Sequence, residues 1–273
     1  MSRHIAVCSS LFATLFLSAC LSTEGDGAAV LSSVVESAQS GDISGDTDEK
    51  NEARLSAATD VFKAATVSDA ELQSVTLQVV AELDKTNQVA PASSKYAKRL
   101  NKLTRNLTNE DGLELNFKVY LTNEVNAFAT ADGSIRVYSG LMDLLRDDNE
   151  LRSVIGHEIG HVKLGHSLAE ARTAYLASAA AKVAASEGGL GAQVLAELGE
   201  KLINAQFSQA QESESDAYGV EFMKRHKYKV TAAESAMRKL ASLEGSENGS
   251  KLFGSHPGAK ERADKIHELI TAK

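Results

Sequence analysis

The chain has 273 residues, 43% of them hydrophobic, with two cysteines, two prolines and no tryptophan. That is enough apolar material for one well-packed domain with a helical appendage. A formal net charge of −8 excludes nucleic acid or anionic lipid as a partner gripped through a basic face.

The chain starts with Met1-Ser2-Arg3-His4, followed by an apolar run to Leu17 and then Leu17-Ser18-Ala19-Cys20. A short basic start, a brief apolar stretch and small residues read as a secretory signal, too short to remain as a spanning helix. The Leu-Ser-Ala-Cys ending matches the bacterial lipobox, which implies cleavage after residue 19 and acylation of Cys20. Those acyl chains would anchor the protein to a membrane. Leu21, where an Asp would favour retention at the inner membrane, points to the periplasmic side of the outer membrane. Cys8 leaves with the signal, so no intramolecular disulfide is available and stability rests on the core and a bound metal. No long apolar segment follows the signal. Residues 20–51, rich in Ser, Gly, Asp and Glu, read as a flexible tether, and residues 52–273 as the catalytic domain.

Within that domain, Ser68-Asp69-Ala70-Glu71 forms a capping box ahead of Leu72, Val75, Leu77, Val79, Val80 and Leu83. A second helix is expected from about Ser93 to Leu107. The period then changes: Leu115, Phe117, Val119 and Leu121 alternate with Asn116, Lys118 and Tyr120, which predicts a strand with one buried face. Ile135 to Tyr138 follow Asp132-Gly133 as a second strand, with Asn126-Ala127-Phe128-Ala129 between them. A short helix opens at Ser139-Gly140. Asp147-Asp148-Asn149-Glu150 then caps a helix carrying Leu151, Val154, Ile155, Ile159 and Val162. An Ala-rich helix runs from about Leu168 to Ala185 and is interrupted by glycines at 188, 189 and 191, a hinge or loop. Helical pattern resumes through residues 207–219, again from a capping box at Thr231-Ala232-Ala233-Glu234, and last from about Gly258 onward. The class is α+β, mainly helical, with a small sheet.

The chemistry concentrates in His157-Glu158-Ile159-Gly160-His161. Two imidazoles four positions apart on a helix lie about 40° apart around its axis, one turn above the other, and can grip one zinc ion. Glu158 sits beside the first of them, where its carboxylate reaches a zinc-bound water as a general base. Gly160, a poor helix former, lets another segment come close. A catalytic zinc takes three protein ligands and leaves one position open. Glu212 and Asp216, four apart on a second helix, supply a carboxylate ligand and an acceptor for a ligating histidine's ring N–H. On sequence alone Glu214 competes with Glu212 for the metal. His166, five positions past His161, lies about 140° around a continuous helix and shares the metal only if the helix ends first. His226 and His267, among charges, read as solvated. A non-haem iron site uses similar ligands but gives Glu158 no role, which favours zinc.

The joint pattern of His157 to His161, Glu212-x-x-x-Asp216, Asn126-Ala127-Phe128-Ala129 and Ser255-His256-Pro257 resembles the gluzincin metallopeptidases of the HtpX and CAAX-prenyl-protease family, from about Ser93 to Ile270. Its lipid-anchored branch in Gram-negative envelopes is the most similar in look. The resemblance implies a zincin-like fold with the small sheet edging the cleft, one Zn²⁺ on His157, His161 and Glu212, and Asp216 bracing His157. It also implies that His256 approaches the zinc from the opposite side, as a donor to the developing oxyanion or as a temporary fourth ligand that blocks the site. Arg262, six residues on, supports the oxyanion or pairs with a site carboxylate. Tyr218 is a further oxyanion candidate. Ser215 departs from the family's usual Ala. Asn126 and Ala127 would contact substrate along an edge strand, where an extended peptide gains sequence-independent main-chain bonds; Phe128 is assigned to core packing.

Together these imply a zinc-dependent endopeptidase held by lipid in the outer membrane. Its expected partners are misfolded or misassembled envelope proteins as substrates, and other envelope quality-control proteins. The alternative is a chaperone-like or latent periplasmic lipoprotein whose zinc site is plugged by His256.

Overall fold

A computed structural model describes residues 66–185, 192–245 and 250–272. The signal segment, Cys20, the tether, the start of the catalytic domain up to residue 65 and the 186–191 loop lie outside the described residues.

Helix α1 (Asp69–Thr86) starts at Ser68, whose side chain and that of Glu71 satisfy each other's backbone N–H groups in the expected capping box. Helix α2 (Lys95–Thr104), capped by Ser94, is shorter than the pattern predicts. A two-residue hairpin, β1 (Asn109–Glu110) and β2 (Leu113–Glu114), turns at Asp111-Gly112, both with positive φ. Strands this short carry no periodicity, so the sequence pattern gives no sign of them.

The main sheet contains β3 (Asn116–Tyr120), β4 (Ala127–Ala129) and β5 (Ser134–Tyr138) in the order β3-β5-β4. Strand β5 runs parallel to β3 and antiparallel to β4. Phe117 and Val119 pair with Ile135 and Val137, and this face joins the main core. The opposite face, assigned to solvent by its Asn116, Lys118 and Tyr120, is covered in part: Tyr120 is buried and Lys118 half-buried, while Asn116 stays exposed. Tyr120, Phe128 and Tyr138 pack there against Val79 and Leu83 of α1, Ala174 of α5 (His166–Ala185) and Leu198 of α6 (Ala192–Ile203). The strand does alternate, but a second layer of helices buries part of the side that looks polar. What makes that burial tolerable is a bidentate pair, Arg136 to Asp84 at 2.9 and 3.0 Å, with Lys118 and Tyr120 also on Asp84.

After β5 come α3 (Ser139–Leu144) and α4 (Asp148–Lys163), then α5 and α6. They are followed by α7 (Gln209–Arg225), α8 (Thr231–Ala241), α9 (Ser250–Ser255) and α10 (Ala259–Thr271). The capping box expected at Thr231 does not form. Val230 is already in the helical conformation and is the capping position, so Thr231 becomes the first helical residue and makes no capping bond, while Glu234 turns to Arg238 and His267. Glu150 likewise does not close a box on Asp147; buried, it binds Ser235 and Lys239 of α8.

Burial alone would raise the Asp84 carboxyl, but hydrogen bonds from Arg136 and Lys118 hold it below its usual range. Its contribution to stability is therefore present above the unfolded carboxylate pKa of about 3.9 and is lost as pH falls through the lower folded value. Asp84→Ala strands the buried Arg136 guanidinium and should cost about 3–5 kcal/mol in urea unfolding at pH 7. That penalty should shrink in acid below the folded value; an unchanged pH 7 midpoint would refute this account.

Candidate metal centre

The site is built where α4 and α7 cross at unusually short range. A Cβ on Gly156 would lie 2.5 Å from Cδ1 of Phe222, and one on Gly160 would lie 3.2 Å from Cα of Ser215. Gly219 comes as close to the backbone of His157. With glycine at these three positions, two ligands from α4 meet a carboxylate from α7. Helix α4 starts at Asp147, whose side chain accepts the Asn149 N–H, and it buries Leu151, Ile155 and Ile159 in the core. Helix α7 starts with a reciprocal box between Ser208 and Gln211, which places Glu212 in its first turn, where the helix dipole favours a negative charge.

His157, His161, Glu212 and His256 are all buried and each offers one ligand atom within 4.8 Å of the others. Nε2 of His157 and Nε2 of His161 are 3.0 Å apart. Glu212 lies 3.7 Å from the first and 3.4 Å from the second. Two ligands held tetrahedrally at about 2.1 Å from a metal sit about 3.4 Å from each other, so these separations fit one small divalent ion. Charge fits as well: three buried carboxylates, Glu158, Glu212 and Asp216, face one guanidinium, Arg262. Burial opposes ionisation of Glu212, yet His256 and His161 hold its carboxyl far below the usual range. Burial, with His157 and His256 close by, pushes the His161 imidazole well below its ordinary value, which favours the neutral ring a metal requires.

Around these groups stands a supporting set. Asp216 lies 3.0 Å from Nδ1 of His157 and receives two hydrogen bonds from Arg262, at 2.8 and 2.7 Å. Burial would raise the Asp216 carboxyl; Arg262 outweighs it and keeps the group ionised. Arg262 also touches Glu212, so it pairs with the site carboxylates. His256 binds Glu212 through Nδ1 at 2.9 Å, and its Nε2 is 3.7 Å from Glu158. Phe207 stacks on His161 with ring centroids 3.8 Å apart, a contact without any sequence signal because it comes from a loop residue. Glu214, the rival ligand, points outward with 61% of its side chain exposed and meets His166 instead. Tyr218 is not brought to the cluster: its hydroxyl bonds Asp111 and Arg225, both at 3.2 Å, while its ring packs at Gly160. His226 is not solvated but half-buried against Glu110, whereas His267 is exposed.

Beside His157, Glu158 and His256 lies a chiefly apolar cavity lined by Val154, Ala233, Met237 and Ile266. Among the described residues β4 pairs with β5 alone, and on its other side the Ala129 carbonyl accepts a hydrogen bond from Ser167 Oγ at 3.1 Å. Next to the strand Asn126 is fully buried, its Oδ1 on the Ala127 N–H and its Nδ2 without a partner among the described residues.

Residues 94–270 match the profile of peptidase family M48. The chain belongs to this family. It is 42% identical to metalloprotease YcaL of Escherichia coli over 80% of this chain and 87% of that protein. Identity to metalloprotease LoiP of the same organism is also 42%, over 80% of this chain and 88% of that one. The beta-barrel assembly-enhancing protease of Yersinia pestis is 29% identical over 55% of this chain and 33% of its own length. As an M48 member the protein is a metalloendopeptidase with a mainly helical fold, and the buried His-His-Glu-His group is suited to its metal ion. For this M48 chain, elemental analysis should give one divalent metal per purified wild-type molecule. Glu212→Ala should lose it while keeping its far-ultraviolet circular dichroism; full metal occupancy in that variant would remove Glu212 from the ligand set.

Proposed function

We propose that the protein is a zinc endopeptidase, anchored by lipid at Cys20 on the periplasmic side of the outer membrane, that hydrolyses misfolded or misassembled envelope proteins. The observation that carries the enzymatic part is the buried cluster of His157, His161 and Glu212 with Glu158 beside it. Two imidazoles and a carboxylate suit zinc, which supplies Lewis acidity and brings the pKa of a water toward about 7. Glu158 takes the proton of the attacking water and hands it to the leaving amine. A peptide adding to the outer edge of β4 displaces the bonds that the Ala127 N–H makes to Asn126 and the Ala129 carbonyl makes to Ser167, and that mode of grip suits unfolded chains because it ignores sequence. The apolar cavity beside Glu158 takes an apolar side chain flanking the scissile bond.

The place in the cell is supported by the Leu17-Ser18-Ala19-Cys20 box with Leu21 after it. Among the described residues no helix is long and apolar enough to cross a membrane. The envelope substrates are supported by the similarity to a relative named for assisting β-barrel assembly. Glu158→Gln should retain its metal yet cleave an unfolded reporter protein about 10²–10⁴-fold more slowly than wild type. Equal cleavage would overturn the assignment.

A second reading concerns regulation. His256 sits in the four-residue ligand group rather than apart from it, which supports a resting state in which it fills the fourth position. Its imidazole is pushed down by burial but raised on balance by the adjacent Glu212, so ligation by His256 requires the metal to displace that proton. His256→Ala should then cleave the reporter faster than wild type. A tenfold or greater fall would assign His256 to oxyanion stabilisation instead.

A further inference from the structure

The contacts of His166 have no part in the mechanism above, and they form a connected set. Helix α4 ends at Lys163, the chain reverses through Leu164-Gly165 with φ of +80° at the glycine, and α5 begins at His166. Had α4 continued, this ring would face away from His161. The reversal brings it back, buried, with Nδ1 at 3.2 Å from Nδ1 of His161. The same Nδ1 is 3.2 Å from Oγ of Ser215, and Nε2 is 3.0 Å from Oε2 of Glu214.

We propose that His166, oriented by Glu214, is a positioning residue that fixes the tautomer and ring plane of the metal ligand His161. The proposal rests on the reading that His157, His161 and Glu212 hold the metal. Nε2 of His161 faces His157 and Glu212, so it is the ligating atom, and the ring's proton must then sit on Nδ1. A buried N–H of that kind requires an acceptor. For His157 the acceptor is the Asp216 carboxylate. His161 has no carboxylate at Nδ1, and the lone pair of His166 Nδ1 takes that place. His166 can accept there only if its own proton is on Nε2, where Glu214 receives it. Each proton in the line from Glu214 to His166 to His161 thus has one donor and one acceptor. The Ser215 hydroxyl, 3.2 Å from the same Nδ1, competes with the His161 N–H for that one lone pair or turns its proton elsewhere. Glu214, the carboxylate that competes for the metal on sequence grounds, faces solvent and holds His166 rather than the ion.

The test measures zinc affinity of the full chain by competition with a chromogenic chelator, and the visible spectrum of the cobalt(II)-substituted protein. His166→Leu keeps the bulk and removes the acceptor; His166→Asn returns a carbonyl oxygen near Nδ1. Loss of a bracing group of this kind weakens metal binding by about 10–100-fold. The Leu variant should show that loss and an altered cobalt spectrum, and the Asn variant should recover most of both. Wild-type affinity in the Leu variant, or equal losses in both, would overturn the proposal in favour of mere packing. Should the Leu variant fail to fold, Glu214→Ala, on an exposed side chain, still decides: binding weakened several-fold supports the relay, and unchanged binding overturns it. If wild type and Glu212→Ala both fail to bind zinc, the metal reading itself has failed, a result distinct from any of these.

Discussion

The close crossing of α4 and α7 at Gly156, Gly160 and Gly219 is the constraint on which the rest of the site depends. Gly156, Gly160 and Gly219 bring the two helices so near that Ser215 Cα and the Phe222 ring occupy the space where Cβ atoms would stand. At ordinary helix spacing of about 8–10 Å the Glu212 carboxylate would have no reason to reach two imidazoles on the neighbouring helix. The glycines cost helix propensity, roughly 1 kcal/mol each. That loss is offset by the apolar packing of Leu151, Ile155, Ile159, Val220, Phe222 and Met223, all buried in one core.

Once the crossing exists, charge organises what surrounds it. Carboxylates placed in a dry interior are tolerated only with partners, and Arg262 of α10 supplies one positive charge to Asp216 and Glu212 together. The remaining negative charge suits the metal ion that the family implies. The same logic operates at a distance from the chemistry, where Asp84 neutralises Arg136 beneath α1. In both places a buried ion pair pins one layer of the fold to another: α10 to α7 at the site, α1 to the sheet behind it.

Legibility in the sequence follows the length scale of the cause. The helix carrying His157 and His161 and the strand alternation at Leu115 to Leu121 arise from local periodicity, and both can be read along the chain. So can Ser68-x-x-Glu71, whose capping contacts span three residues. Thr231 and Glu234 offer the same letters without forming the box, because the helix is capped one residue earlier, at Val230, and Thr231 is no longer at the capping position. The covered face of β3 looks solvent-facing along the chain because its polar residues are neutralised by a residue on another element, Asp84, invisible to any local pattern. His166 escapes the local pattern for a related reason: its angle holds only for a continuous helix, and α4 ends at Lys163.

The sequence by itself determined which groups could bind a metal and which helices would carry them, since residue type and spacing of three or four are properties of the chain alone. The family resemblance already preferred Glu212 to Glu214 and placed Arg262 at a site carboxylate; only the tertiary structure set Glu214 against His166, turned Tyr218 away, and drew Phe207 and His166 inward. Those outcomes depend on how two helices approach and where a third ends. Such distances are set by packing between segments some fifty or a hundred residues apart, and no local pattern encodes them.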